Sequence, residues 1–479
     1  MKKQSLKINF VMNAILTMSS FIFPLITFPY SSRVLGPEGT GKIQFATSLI
    51  SYFTMFAQLG IPMYGIRACA KVRDNREALT RTAHELMAIN LIMTAISYGA
   101  LAIALMTVPK LQEEKTLMIV VSMNIILTTI GIEWLYKALE QYTYITVRAV
   151  IFKLIALVMM FLMVKSKEDY VIYGGISIFA STASGVLNLI NAHKYIGFKP
   201  VGGYRLRRHL KPVLIFFAMA CATTIYLHLD NVMLGFMTTD TDVGYYGAAV
   251  KIKTILVSIV TSLGAVLLPR ASYYVENGEM DEFRRLTRKA MSFVTLLAVP
   301  LSLYFILFAR EGILLLSGPA YEGSVVPMQV IMPTLLLIGI TNITGIQILV
   351  PTGREKAVLY SEIAGAIVDI ILNALLIPSL RSTGAAIGTL VAEAAVLVVQ
   401  FYILRNEIRD ILSEIHPANI LVGTGLAVAA SIWTKMLHTG YFLTLAISAI
   451  LFFGIYAGFL FVRKEPIIRE IAKTKLLKR

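Results

Sequence analysis

Residues 9–30 read NFVMNAILTMSSFIFPLITFPY, 22 positions without one charged side chain. At about 1.5 Å of rise per residue, a helix of this length matches the roughly 30 Å hydrocarbon core of a bilayer. A helix turns about 100° per residue, so Asn9, Asn13, Ser20 and Thr27 share one face and leave the rest to lipid. The stretch follows Met1, Lys2 and Lys3 as a secretory leader would. It is too long for a leader, lacks a small-x-small cleavage site and runs at once into a second apolar segment, which predicts a retained span.

The same pattern recurs along the chain, with apolar runs at 9–30, 43–66, 84–107, 116–136, 149–164, 171–191, 213–236, 247–268, 291–309, 329–350, 360–378, 386–404, 420–436 and 441–462. Of the 479 residues, 57% are hydrophobic and 15% charged, with a mean hydropathy of +0.72. Soluble domains carry about 45–50% apolar and about 25% charged residues, so an ordinary soluble enzyme is excluded. The expected fold is all-α and integral to the membrane, with about 14 transmembrane helices and no room for a second folded domain.

The net charge of +16 would suggest nucleic-acid binding in a soluble protein. Its distribution points elsewhere. An even number of spans puts both termini on one side, and with that side cytoplasmic, 33 of the 44 Lys and Arg fall in cytoplasmic segments. This is the bias of the positive-inside rule. It predicts a multi-pass protein of the cytoplasmic (inner) membrane with both termini cytoplasmic and no nucleic-acid partner. The runs Arg205–Lys211 and Lys473–Arg479 are read as topology signals touching anionic lipid headgroups.

Two halves of the chain echo each other. Leu35-Gly36 follows the first span and Leu234-Gly235 the seventh; Gly41 to Arg67-Ala68 and Gly244 to Arg270-Ala271 are both 26-residue intervals enclosing one span. The predicted organisation is an N-terminal six-helix lobe over 1–205, a C-terminal six-helix lobe over 206–410, and two additional helices with a basic cytoplasmic tail over 411–479. Six being even, the lobes form a parallel repeat about an axis along the membrane normal, facing each other across a central cavity.

Enzymatic signatures are missing. The six histidines form no pair at metal-ligand spacing, Cys69 and Cys221 stand alone, and no nucleophile elbow occurs. Gly36-Pro-Glu-Gly-Thr-Gly-Lys42 imitates a phosphate-binding loop, but Ile43 stands where a hydroxyl must reach Mg²⁺ and no strand precedes it. A flexible turn between spans is expected there. No catalytic residue, metal or cofactor is expected.

Polar stripes within the spans carry the functional reading. Span 2 aligns Gln44, Ser51 and Gln58; span 6 carries Ser177, Ser181, Ser184, Asn188 and Asn191; span 7 Thr223, Tyr226 and Asp230; span 8 Lys251, Thr254, Ser258 and Ser262; span 11 Glu362, Asp369 and Asn373; span 12 Thr389, Glu393 and Gln400. Hydroxyls and amides also glue helices together, whereas an ionised group at mid-bilayer costs at least about 2.5–3.5 kcal/mol and needs a partner or water. Asp230, Lys251, Lys253, Asp369 and Glu393, with Asn13 and Asn373, are therefore candidates to line a hydrated path or to form structural pairs. A cleft lined this way suits a large polar cargo, whose hydroxyls lipid would strand. Arg33, Lys251 and Lys253 are the candidates to pair with a phosphate-bearing headgroup.

The motifs Arg33-Val-Leu-Gly36 with Gly39 and Gly41, Glu133-Trp134 before Glu140, Asp230-Asn-Val-Met-Leu-Gly235, Gly244-Tyr-Tyr246 with Ala248, Pro351-Thr-Gly353 and Gly384-Ala-Ala386 resemble those of a polysaccharide-unit flippase of the Wzx type. That family lies in the multidrug/oligosaccharidyl-lipid/polysaccharide exporter superfamily, and the resemblance runs over 1–460. It implies two six-helix lobes around a cationic cavity, alternating access, and a polyprenyl-pyrophosphate-linked oligosaccharide moved to the outer leaflet. It also leaves open H⁺ or Na⁺ coupling and contact with other polysaccharide-assembly membrane proteins. A drug/cation antiporter or a peptidoglycan-precursor flippase of the same superfamily is the nearest alternative, and an integral-membrane glycosyltransferase or polymerase a remote one.

Topology is tested by reporter fusions. Those placed after residues 75, 205, 280 and 470 should read cytoplasmic and those after 38, 240 and 320 external; a cytoplasmic signal at 240 would break both the span count and the repeat.

Overall fold

A computed structural model describes residues 6–262, 264–437 and 439–466. Lys2, Lys3, His438 and the basic run 473–479 lie outside the described residues. Within them the chain is helical with no strand. Eleven helices are long and apolar enough to cross a membrane, or twelve if Pro319–Ile331 and Thr334–Leu349, bent by 44°, form one span. Two elements are far longer than one crossing: Leu6–Gln58, with 53 residues, and Glu355–Ile403, with 49. Each is broken by one non-helical residue, Gly36 (φ 68°, ψ 178°) and Arg381 (φ 50°, ψ −129°).

Backbone contacts divide the chain into two compact units, Met1–Gly244 and Tyr245–Arg479. In the first, Leu6–Gln58 is the central post, packed on Arg76–Thr107, Lys115–Gly131, Tyr142–Met163 and Arg207–Met237. Its core gathers Ile61, Leu86, Leu135, Tyr136, Ile145 and Ile196, all fully buried. In the second unit, Met280–Leu307 packs on Thr334–Thr341 and Gly264–Glu276. Pro417–Ser431 and Tyr441–Val462 pair closely and seal against it through Leu296, Tyr304, Phe308 and Phe452. Outward-facing Ile103, Leu162, Ile450 and Val462 are all more than 60% exposed, as expected of helices this long and apolar in a lipid surround.

Two expectations need correction. The span expected at 149–164 begins earlier: Tyr142–Met163 is one 22-residue helix. Arg148 and Lys153 therefore sit inside a crossing helix and not in a cytoplasmic segment. Charges interrupt an apolar window, but a helix with enough hydrophobic residues on its other faces carries them inward. Likewise the glycines of Gly36–Lys42 are not all turn residues. Gly36 alone adopts a left-handed φ. Gly41 is helical and lies so close to a neighbour that a Cβ on it would meet the Asp240 carbonyl oxygen at 1.7 Å, while a Cβ on Gly244 would meet the Pro37 carbonyl oxygen at 1.9 Å.

This contact is reciprocal. Pro37 precedes Gly41 by four residues as Asp240 precedes Gly244, so each glycine of the repeat receives the carbonyl one turn ahead of the other. The two glycines matched in sequence thus meet in a symmetric close approach. Gly41→Ala and Gly244→Ala should each cost about 1–3 kcal/mol through overpacking, read as a lowered thermal midpoint of the detergent-solubilised protein. Gly99→Ala, where nothing lies within 4 Å of an added Cβ, should stay within about 0.5 kcal/mol. Equal effects at all three positions would contradict the close approach.

Candidate functional site

Inside a bilayer each polar group must find a protein partner or a wet cavity, and the polar stripes divide accordingly. Some are interlocked. In the first unit Gln58 Nε2 donates to Thr129 Oγ1 (3.1 Å), which lies 2.8 Å from Thr94 Oγ1. Asn90 donates to the Ala57 carbonyl (2.9 Å), and Asn188 to the Gly131 carbonyl (2.6 Å) while its own carbonyl receives the Tyr136 hydroxyl (2.6 Å). In the second unit Gln400 Nε2 donates to Ser361 Oγ (3.1 Å), and the Tyr246 and Thr389 hydroxyls lie 2.8 Å apart. These groups set helix register, which is the structural reading of a polar stripe.

Others are satisfied on their own helix. Thr254, Ser258 and Ser262 donate to Val250, Ile255 and Ile259 carbonyls (2.8, 2.6 and 2.7 Å). Ser51 and Thr54 do the same to Thr47 and Ile50 (2.7 and 2.9 Å). A hydroxyl bonded back to its own helix needs no neighbour and still offers an acceptor to water or cargo.

The candidate site residues fall in different places. Asp369 and Asn373 share a face of Glu355–Ile403 and press on Gly388, where a Cβ would meet Asn373 Oδ1 at 2.3 Å and Asp369 Oδ1 at 3.2 Å. Glu393 is buried one turn beyond Thr389. Asp230 is buried at 8% exposure within Arg207–Met237. Lys251 and Lys253 are half-buried in Asp240–Thr261. Arg33 is exposed beside the Gly36 break and donates through a terminal nitrogen to the Pro29 carbonyl (2.9 Å). Asn13 is exposed, and its carbonyl receives Thr17 (2.9 Å). The structure brings Asp369 and Asn373 together; Asn13 and Arg33 lie on one helix, about 30 Å apart by helical rise.

Sequence reasoning missed Lys153. Its Nζ lies 2.8 Å from Ser19 Oγ and 3.0 Å from Ser20 Oγ of the central post. Among the described residues no carboxylate pairs with it. A half-buried ammonium held only by neutral hydroxyls keeps its charge available to an anion. The signal was present: the 142–163 segment stays strongly apolar with its charges included.

A second cluster was also missed. Glu85, with no exposed surface, accepts from the Arg205 backbone N–H (2.6 Å), Arg208 Nε (3.1 Å) and His209 Nε2 (2.7 Å), and His209 Nδ1 lies 2.8 Å from the Tyr64 hydroxyl. Part of the basic run 205–211 is thus spent inside the protein, where lipid contact alone was expected. At the opposite end of Arg207–Met237, Lys110 pairs with Asp240 (2.9 Å), and Lys42 with Glu114 (2.9 Å), which also receives Tyr170 (2.8 Å). The helix is thus held at its start through Arg208 and His209, and the chain just beyond its end through Asp240, within the first unit.

The remaining sequence motifs are contacts. Gly235 lies under Phe45, whose ring an added Cβ would meet at 2.1 Å. Glu140 pairs with Arg73 at 2.7 Å. Gly353 makes a left-handed turn (φ 72°). Among the described residues no group of three or more His, Cys, Asp or Glu could hold a metal ion. The described residues thus offer a half-buried ammonium at Lys153 bonded to two hydroxyls, and a buried carboxylate cluster at the start of Arg207–Met237.

Comparison with known proteins fits this architecture. The profile of the family described as polysaccharide biosynthesis protein matches residues 6–275, and that of the MatE family residues 215–375. A protein of Escherichia coli (strain K12) named "Putative O-antigen transporter" is 25% identical over 406 residues, covering 84% of this chain and 98% of its own. Among solved structures, the lipid II flippase MurJ in an inward closed conformation superposes with a TM-score of 0.73 at 14% identity, over 96% of this chain and 100% of that one. An inward-facing multidrug resistance MATE family transporter of the MOP superfamily gives 0.61 at 13%, over 85% and 99%. The resemblance read from the motifs holds, and the chain is a multi-pass membrane protein that belongs to the polysaccharide biosynthesis protein family.

Proposed function

We propose that this protein is a flippase that carries a polyprenyl-pyrophosphate-linked oligosaccharide repeat unit from the cytoplasmic to the outer leaflet by alternating access. The observation that carries the reading is Lys153: a cation in a crossing helix, held by Ser19 and Ser20 and by no carboxylate among the described residues. Such a site fits an anionic headgroup and opposes an organic cation. The name of the Escherichia coli relative and the superfamily fold support the same class. They leave a peptidoglycan-precursor flippase as the nearest alternative and a drug/cation antiporter behind it.

In this reading the two long helices are each two passes, divided at Gly36 and Arg381, and the bent pair is one, giving fourteen. Both termini face the cytoplasm. The headgroup crosses on Lys153 with Arg33, Lys251 and Lys253, while Asn13, Asp230, Asp369, Asn373 and Glu393 line the path or couple transport to H⁺ or Na⁺. The prenyl tail stays in lipid. An inside-negative potential favours outward movement of the anionic headgroup by about 2.3 kcal/mol per charge per 100 mV. Other polysaccharide-assembly proteins of the inner membrane are the expected partners.

Lys153→Gln and Lys251→Ala should each abolish complementation of a flippase-null strain at matched membrane levels, and Lys153→Arg should retain part of it. Full activity of both neutral variants would remove the cationic path.

A further inference from the structure

A cavity of about 510 Å³ opens beside the start of Tyr142–Met163, lined by Tyr144, Val147, Arg148, Ile151, Phe152 and Leu187. Val147 and Ile151 are about half exposed, as are Leu154 and Ile190 nearby, 57% and 62%, so the opening faces lipid. Arg148 is 6% exposed. Five residues separate it from Lys153, which turns the two about 140° apart on their helix. The cavity is therefore separate from the headgroup path proposed above and stands without it.

The site is built around the guanidinium. Over Phe179–Ala183 the adjoining helix widens to i→i+5 bonding, a local change common at functional positions, and just beyond it the Ser184 carbonyl accepts from a terminal nitrogen of Arg148. The Tyr144 ring lies 5.9 Å from the guanidinium, and its hydroxyl donates to the Leu187 carbonyl (3.0 Å). Phe152 stacks on Phe179 at 5.1 Å. Arg148 Nε has no partner. Among the described residues no carboxylate forms an ion pair with Arg148; the nearest acidic charge acting on it, Glu133, is ion-paired with Lys137 at 2.9 Å.

A buried cation with one neutral acceptor, one orphaned N–H and an apolar opening asks for a single negative charge bearing hydrocarbon. We propose that this pocket binds an anionic glycerophospholipid, its phosphodiester at Arg148 and its acyl chains along Val147, Ile151 and Phe152. The lone cation balances one charge, where a pyrophosphate would bring more. The polar lining, Thr143 and Tyr144 beside Arg148, is too sparse for an oligosaccharide. By the distribution of basic residues the pocket lies toward the cytoplasmic leaflet, where anionic headgroups and basic pockets between helices meet.

The test uses the full chain in nanodiscs of mixed phosphatidylglycerol and phosphatidylcholine, with retained lipid identified by native mass spectrometry. The wild type should retain phosphatidylglycerol about tenfold over phosphatidylcholine. Arg148→Gln should reduce that preference to near unity and Arg148→Lys should keep part of it. Val147→Trp fills the pocket from an exposed position, leaves the Ser184 bond intact, and should abolish retention even if the Arg148 variants fold poorly. Unchanged retention in Val147→Trp, or displacement of the lipid by undecaprenyl phosphate at equal concentration, overturns the proposal.

Discussion

Everything in this protein depends on one constraint: in hydrocarbon, a polar group without a protein partner is expensive, so each must be bonded internally or face water. The serines and threonines meet it most simply, by bonding back to carbonyls of their own turn, as Thr47 does to Ile43 and Thr261 to Val257. Amides meet it across helices, with Gln58, Asn188 and Gln400 each tying one span to another. Once those groups are accounted for, the cations that remain stand out. Lys153 and Arg148 are both inside a crossing helix, both bonded to neutral oxygens, and neither forms an ion pair among the described residues. They face different sides, Lys153 toward Ser19 and Ser20 of the central post and Arg148 toward the Ser184 carbonyl of the adjoining helix.

The segments Pro37–Gly41 and Asp240–Gly244 meet in a close reciprocal contact. Two pseudo-equivalent turns interlock where neither tolerates a Cβ, and Lys110–Asp240 reinforces them. At the other end of Arg207–Met237, Glu85 gathers donors from three residues, Arg205 just before the helix and Arg208 and His209 in its first turn. Removing one partner from such a buried charge costs about 3–5 kcal/mol. All of these contacts lie within the first unit and fix the packing of Arg207–Met237 against Leu6–Gln58 and Arg76–Thr107 there.

Much of this was legible from sequence. Uncharged runs such as 9–30 and 441–462 announced helices directly. The start of the 142–163 helix was overlooked because Arg148 and Lys153 read as loop charges, although the segment stays strongly apolar with them included. Polar periodicity located Gln58, Asn188 and Asp369 on inward faces but could not separate glue from path, since both need the same residue types. Glu85 and His209 looked unrelated at 124 positions apart; only the fold sets them together. The glycines of 36–42 were read as one turn, yet Gly36 bends the chain and Gly41 makes room for a carbonyl, two different demands that one letter hides.

Transbilayer movement in a purified system tests the central claim most directly. The protein, reconstituted into vesicles with a fluorescent polyprenyl-pyrophosphate-linked oligosaccharide in one leaflet, should move that lipid to the other leaflet, faster under a potential that draws anions across. Lys153→Gln at equal protein density should not. Movement of an organic cation in place of the lipid-linked sugar, or lipid movement unaffected by Lys153→Gln, would contradict the account.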